Sequence, residues 1–527
     1  MPPEESPLSA QEIASHRSVS SCWIVIDGKV YDVTSYLDEH PGGAAILLKQ
    51  SGADATAEFR KIHSTDVLKY LPGNACLGAI DAATRAALPA SSATGAGGPT
   101  GHLTLDAPSE EGAPEGVPPI SSIVSAGEFE AAARAAMPEK ALTYVSSSAH
   151  DGRALRGNLD AWGAVRFRPR VLHDVRAVDP RTAILGAASA LPFYASPMGQ
   201  LGRGHAAGEI GVVRALARRG VHGVLSTEST AKMEEIAAAF ADEKRIMAEE
   251  RKAAAAAAAA AGGGSGEDTA MTDAPEAELH FQLYIPADRA IGAQRIRRAR
   301  ATGVFRSLWV TVDTPVLGKR TADRRLQAAE ALAASPELAA HAERAAFGAL
   351  SHVTGAQLNA SLTWDDLGWI RRAWGEGSPL VLKGVQTAED AARAADLGVD
   401  AVLLSNHGGR QMHAAPDALT TLLEIRDRYP GLVDRLEVYV DGGCRDGADV
   451  LKAVCLGARA VGIGRPLFYA LAAYGQKGVE RCLDIYADEL ITGMRLLGIT
   501  NLADARPERV NASRLLNEIW RPEKSRL

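Results

Sequence analysis

Ala401-Val402-Leu403-Leu404-Ser405-Asn406-His407-Gly408-Gly409-Arg410-Gln411 is the stretch from which the chain is best read. Four aliphatic residues in a row predict a short strand buried on both faces. The chain then turns polar within one residue. His407, a possible base, precedes the fixed cation Arg410 by three positions, and the glycines between them let backbone approach a ligand closely. A base next to a carboxylate-binding arginine at a strand's C-terminal end suits proton abstraction from an acid substrate. The competing reading is a glycine-rich turn with a capping histidine.

Seven more apolar runs share this design: Pro192–Met198, Gly223–Thr227, His280–Tyr284, Ser307–Asp313, Leu380–Val385, Glu437–Gly443 and Ala460–Gly464. Amphipathic helical stretches such as Ala388–Leu397 and Asp446–Leu456 separate most of them. Eight buried strands alternating with helices predict an α/β fold, a (β/α)8 TIM barrel. In such barrels chemistry sits at the C-terminal strand ends, which here carry Gln282, Tyr284, Thr311, Asp313, Lys383, His407, Asp441 and Gly464. With Arg410, these are groups that oxidation of a 2-hydroxy acid would use.

At 527 residues the chain predicts two or three domains. A net charge of −7 argues against a nucleic-acid partner. Cys22, Cys76, Cys444, Cys455 and Cys482 show neither metal spacing nor a disulfide framework, which favours a reducing compartment. No segment approaches a membrane span, and the acidic, proline-containing N-terminus lacks the apolar core of a signal peptide and the Arg-rich helix of a transit peptide. The expected location is cytoplasmic, with the mitochondrial intermembrane space as the alternative. The expected domains are residues 8–80, a compact module; 81–119, a flexible linker rich in Ala, Ser, Thr, Gly and Pro; 120–505, the barrel; and 506–527, a C-terminal tail. Inside the barrel, residues from about 241 to 278 contain a run of nine alanines, a Gly-rich run and an acidic stretch, expected to be a tolerated surface insertion.

The N-terminal module has two strand-like runs around Asp27-Gly28, from Trp23 to Thr34. The sequence Leu37-Asp38-Glu39-His40-Pro41-Gly42-Gly43 follows, then Lys61-Ile62-His63-Ser64. Two histidines, each beside an amphipathic helix, can clamp a haem iron from both sides. Bis-imidazole iron has no open position and suits electron transfer. The bland alternative makes His40 a helix cap. With its Trp-Ile-Val-Ile-Asp-Gly strand, His-Pro-Gly-Gly loop and second histidine, the segment resembles the small α+β cytochrome b5-type domains. That resemblance implies heme b with His40 and His63 as metal ligands.

From Tyr144 onward the chain is similar to the FMN-dependent 2-hydroxy-acid oxidases and dehydrogenases, most strongly at Ser405–Gln411, Thr311-Val312-Asp313-Thr314-Pro315 and Asp441-Gly442-Gly443. The two modules in tandem resemble the flavocytochrome b2 family of L-lactate cytochrome c oxidoreductases. The resemblance implies FMN held at its ring by Pro197, Met198, Gly199, Ser226, Gln282, Thr311, Lys383 and Ser405. It implies a phosphate site made by Asp441, Gly442, Gly443, Arg445, Gly464 and Arg465. It assigns the substrate carboxylate to Arg410 and Tyr144, with Arg320 a second arginine and Tyr284 at the hydroxyl or carboxylate edge. His407 becomes the general base and Asp313 its partner. Whether His407 takes the hydroxyl proton as hydride leaves, or the Cα proton first, the residues leave open.

Two departures stand out. The family pattern Tyr-x-x-Ser-Gly-Ala appears as Tyr144-Val145-Ser146-Ser147-Ser148-Ala149, without its glycine. Glu228 stands where relatives carry an apolar or aromatic side chain in the substrate pocket; a carboxylate there would repel a second acid group or attract a polar or cationic one. The leading expectation is an L-2-hydroxy-acid dehydrogenase, L-lactate to pyruvate, passing electrons through FMN and the fused haem to cytochrome c. The resemblance also implies a homotetramer. Alternatives are an oxidase, or a dehydrogenase for glycolate, mandelate or a longer-chain acid, and, in another class, a haem electron carrier with an inactive barrel.

Overall fold

The computed structural model describes residues 8–37, 44–62, 68, 71, 74–89, 116–260, 275–334 and 358–522. The chain forms two compact units, residues 1–109 and 110–527.

The first unit is a four-stranded antiparallel sheet of Arg17–Ser18, Ser21–Ile26, Lys29–Asp32 and Cys76–Ala79 in sequential order. Asp27 and Gly28 both take positive φ, 51° and 74°, the primed turn that matches the twist of a two-residue hairpin. Cys22, Ile24, Ile26, Val33 and Leu37 form one core with Leu47, Leu48, Phe59, Leu68 and Leu71, which remain partly buried. Ile13, Val25, Val30 and Leu88 form a second core, against which Trp23 packs; its ring stacks on His16 at 3.5 Å. His40 and His63 both lie outside the described residues. The expected linker does not start at residue 81. Asp81 accepts from the Thr84 amide and caps a helix over Ala82–Ala87, Arg85 pairs with Asp54, and Leu88 is buried. An alanine-rich composition concealed a capped helix.

The second unit is the expected barrel. Its strands are β1 (Phe193–Ala195), β2 (His222–Leu225), β3 (Leu279–Leu283), β4 (Phe305–Thr311), β5 (Leu380–Val385), β6 (Ala401–Leu404), β7 (Glu437–Asp441) and β8 (Ala460–Ile463). All neighbours pair in parallel, and β8 returns to β1 to close the cylinder. Inside, Trp309 stacks on Tyr439 and Tyr194 meets both edge-on. Ile184 and Leu185, from a hairpin ahead of β1, join this interior cluster. These side chains fill the barrel with a packed core, so its interior is no pore, and a fold of this kind places its chemistry at the strands' C-terminal ends.

Helix Met233–Ala260 runs unbroken through the start of the expected insertion and into the alanines, as alanine's helix propensity favours. Residues 506–527 are no loose tail over their described part. Val510–Asn511 pairs with Arg166–Phe167, and Leu515 and Ile519 are buried.

Candidate active site

The end of β6 aims the candidate base. His407, Gly408 and Gly409 take φ values of 61°, 64° and 76° in succession. A left-handed histidine is disfavoured, and such strain persists only where surrounding contacts over-determine it. Those contacts are present. Ser405 Oγ accepts from the His407 amide at 3.0 Å, and Asn406 Oδ1 accepts from the Gly409 amide at 2.9 Å. A Cβ on Gly409 would come within 2.5 Å of the Leu155 backbone nitrogen, so glycine is required there.

The imidazole sits between two partners. Nδ1 lies 3.1 Å from Asp313 Oδ1, and Nε2 lies 3.3 Å from the Tyr284 hydroxyl. The carboxylate on Nδ1 fixes the tautomer with the proton there, leaving Nε2 free to accept. Burial, reinforced by the Lys383 charge and opposed by Asp313, pushes His407 down to about 4. The base is therefore neutral at physiological pH. Burial would raise Asp313, but the His407 and Lys383 charges and hydrogen bonds from His407 and Thr314 prevail and hold it low. Gly384 gives Asp313 its room: a Cβ there would lie 2.5 Å from Asp313 Cγ. Burial and the Asp313 charge raise the Tyr284 phenol, which keeps its proton to donate.

One cleft joins His407 and Tyr284 to the cations around them. Its lining includes Tyr144, Tyr284, Glu228, Arg320, Lys383, His407 and Arg410. With its open mouth it encloses about 1350 Å3. Arg410 Nη1 donates to the carbonyls of Tyr144 (2.8 Å) and Ser147 (3.0 Å), at the end of helix Glu139–Ser146. This anchorage presents Tyr144 to the cleft despite Ser148 replacing the family's glycine, and Arg410 lies over the Tyr144 ring. Burial and the neighbouring Arg320 and Arg465 charges depress Arg410. Arg320 Nε is buried without a partner. So many cations with so few acceptors form a site that is completed by an anion.

Of the residues expected around FMN, Pro197, Met198, Gly199, Ser226, Lys383, Asp441, Gly442, Gly443, Arg445, Gly464 and Arg465 line this cleft. Gln282, Thr311 and Ser405 do not. Gln282 Nε2 donates to Thr311 Oγ1 at 2.8 Å while its Oε1 accepts from the Thr227 amide, and Ser405 Oγ is used by His407. Arg465 is also differently engaged, its Nε and Nη2 donating to the carbonyls of Val145, Ser147 and Gly408.

The cleft nonetheless fits FMN. Among the described residues, the amides of Gly443, Gly464 and Arg465 have no protein acceptor. Two of these amides open helix Arg465–Leu497, where the dipole favours negative charge, and Arg445 stands beside them on the lining. Gly442 and Gly443 turn with φ of 89° and 86°. Asp441 Oδ1 is buried and unpaired, an acceptor suited to a polyol chain, and burial outweighs the Lys383 charge to raise this carboxyl. The Lys383 side chain makes no hydrogen bond among the described residues, which leaves its ammonium for the cofactor. In the first unit, the partly buried Leu47, Leu48, Phe59, Leu68 and Leu71 offer the apolar surface a haem macrocycle needs.

Three supporting residues escape sequence reading. Asn158, on helix Arg153–Ala164, exchanges hydrogen bonds with Asn406. Trp162 Nε1 donates to the Gly442 carbonyl at 2.9 Å. Gln411 Nε2 donates to the carbonyls of Asp313 and Val316. Only Gln411 lies in a recognisable motif; the other two make contacts that no local spacing signals.

Residues 133–249 and 241–512 match the family FMN-dependent dehydrogenase, and residues 9–81 match the cytochrome b5-like heme/steroid binding domain. An L-lactate dehydrogenase (cytochrome) of Saccharomyces cerevisiae is 34% identical over 514 residues, covering 96% of this chain and 80% of the relative. An L-lactate oxidase of Nostoc is 35% identical over 393 residues, 73% of this chain and 97% of the relative. Among solved structures, the recombinant flavin-binding domain of baker's yeast flavocytochrome b2 aligns with a TM-score of 0.63 at 32% identity, covering 77% of this chain and 93% of that one.

Proposed function

Since the chain belongs to the FMN-dependent dehydrogenases and carries a cytochrome b5-like domain ahead of its barrel, we propose that it oxidises L-lactate to pyruvate and delivers the electrons to cytochrome c. The enzyme is an oxidoreductase acting on 2-hydroxy acids, with FMN and heme b as its cofactors. The observation that carries the substrate reading is that His407, backed at Nδ1 by Asp313, shares one cleft with Tyr284, Arg410 and Arg320. FMN supplies a two-electron acceptor, and haem a one-electron carrier toward an outside partner.

The chain's own residues do the rest. Arg410, with Nη1 committed to backbone carbonyls, turns its remaining donors to the substrate carboxylate, and Arg320 and Tyr144 complete that grip. Tyr284 and His407 Nε2 meet the substrate's C2 hydroxyl. His407, neutral before substrate binds, takes a proton at Nε2. Asp313 on Nδ1 then stabilises the imidazolium, and Lys383 carries fixed positive charge beside the cofactor. His40 and His63 are the proposed haem ligands.

The fused haem domain favours a cytochrome acceptor over oxygen. The same reading extends to a homotetramer, which a light-scattering mass tests. Five free cysteines fit a reducing compartment, the cytoplasm in preference to the mitochondrial intermembrane space. No helix among the described residues is long and apolar enough to cross a membrane. The central test is an anaerobic substrate screen read at both flavin and haem absorbance. Reduction of both by L-lactate, followed by reduction of added cytochrome c, is expected. Flavin reduction without transfer to haem would make the protein an oxidase-type enzyme, and no reduction by any 2-hydroxy acid would leave it an electron carrier.

A further inference from the structure

We propose that Glu228 selects 2-hydroxy acids whose side chain carries a hydrogen-bond donor at C3, in preference to alkyl side chains of equal size. This rests on the reading of the cleft as a 2-hydroxy-acid site. Glu228 lies just beyond β2 with its backbone pinned: its amide donates to Ser226 Oγ at 3.1 Å, and its carbonyl accepts from the Gln200 amide at 2.8 Å. Its side chain lines the cleft with Met198, Gly199, Tyr284, Leu317 and Leu358. Gly199 makes space for it, because a Cβ there would come within 2.9 Å of Glu228 Cβ.

The Glu228 carboxylate makes no hydrogen bond or ion pair among the described residues, although it is half-buried. The Arg295 charge favours the carboxylate, but burial dominates and raises the carboxyl. Glu228 and Tyr284 line the same cleft. With the substrate carboxylate on Arg410 and Arg320 and its hydroxyl on His407 and Tyr284, the C3 substituent is left the wall that Glu228 shares with Met198 and Leu358. A donor there pairs with the carboxylate. An ethyl group displaces water and leaves the carboxylate unsatisfied. A lactate methyl is small enough to leave a water in place, and a second substrate carboxylate is repelled.

L-glycerate and L-2-hydroxybutanoate differ by hydroxyl against methyl at nearly constant size. In anaerobic stopped-flow of the full chain, the kcat/KM ratio of glycerate to 2-hydroxybutanoate for flavin reduction is expected to be about 10 or more, the scale at which a buried polar group discriminates. Glu228→Leu should collapse that ratio while lactate still reduces the flavin. Glu228→Gln, which keeps an acceptor, should retain part of it. Dissociation constants of hydroxypyruvate and 2-oxobutanoate, titrated by flavin absorbance, should move in parallel. A ratio unchanged between the native protein and Glu228→Leu, with lactate reduction intact, overturns the role of Glu228 alone. Failure of lactate and every other 2-hydroxy acid to reduce the native flavin overturns the underlying reading and this inference with it.

Discussion

Asn158 and Asn406 face each other across 248 residues of sequence and exchange two hydrogen bonds of 2.7 Å, amide to carbonyl in both directions. Asn406 is also fixed by the Pro416 carbonyl and by the Gly409 amide. The backbone of Asn158 packs against the Gly443 turn, where a Cβ would come within 2.2 Å of its carbonyl oxygen. One residue, through its side chain and its backbone, thus ties the loop of the candidate base to the turn proposed for the phosphate. Asn158→Ala leaves Asn406 with unmet bonds in a dry setting, a cost of about 1–3 kcal/mol. It should lower the denaturation midpoint, weaken FMN retention on dilution and reduce kcat together. A loss of stability with unaltered FMN affinity and kcat would reduce the pair to ordinary core packing.

His407→Gln should leave FMN bound and slow flavin reduction by about 10² or more, the scale of a lost general base. Asp313→Asn should act in the same direction through His407, since the imidazolium loses the charge that steadies it. With His407 pushed down to about 4 in the free protein, kcat/KM for the native enzyme should hold its value from neutral pH down to roughly pH 5 and fall below it. Near-normal flavin reduction in His407→Gln would remove this residue from its role.

Stability should also depend on pH through histidines far from the chemistry. Burial pushes His222 down to about 4 and holds His280 well below the usual histidine range, and their rings stack within the barrel at 5.7 Å. The unfolded chain binds a proton at each near 6.5. The His222 contribution is therefore complete above that value and is lost as pH falls through about 4, because protons then favour the unfolded state; His280 acts in the same direction. Buried carboxyls held high, such as Asp441 and Asp449, work the opposite way over part of that range. A difference measurement isolates the histidine. Between pH 7 and 4.5 the native protein should lose up to roughly 3 kcal/mol more than His222→Gln in urea unfolding. Parallel pH curves would mean that His222 is already charged or already solvated.

Much of the barrel and its site is legible in the amino-acid sequence. The barrel strands are short, apolar and buried on both faces, so near-continuous runs such as Val381-Leu382 and Val438-Tyr439-Val440 stand out, and the reactive residues follow at their ends. Side-chain direction is not legible. Gln282 and Thr311 sit on the expected strands but satisfy one another, and Arg410 spends one nitrogen on the carbonyls of a helix more than 260 residues away in sequence. Those outcomes depend on packing between elements that sequence spacing does not encode. The helix after Asp81 hides in the sequence because its alanines resemble linker composition, although the Asp81 cap and the apolar Leu88 are signals in plain view.

The haem ligands give the sharpest division of labour. The two units are separate compact bodies in the fold, so a change confined to the first should spare chemistry in the second. His40→Ala or His63→Ala would take one imidazole from the proposed ligand pair and leave the iron a free coordination position. The low-spin b-type spectrum should disappear in either variant. L-lactate should still reduce the flavin at close to the native rate, because Asp313, His407, Tyr284 and Arg410 all belong to the barrel. Reduction of added cytochrome c should collapse, since the one-electron carrier is lost. The measurement is a pair of stopped-flow traces, flavin and cytochrome c, beside a visible spectrum of the resting protein. An unchanged haem spectrum in either variant would show that another side chain holds the iron. A parallel loss of flavin reduction would show that the haem domain supports the barrel's chemistry as well as draining electrons from it.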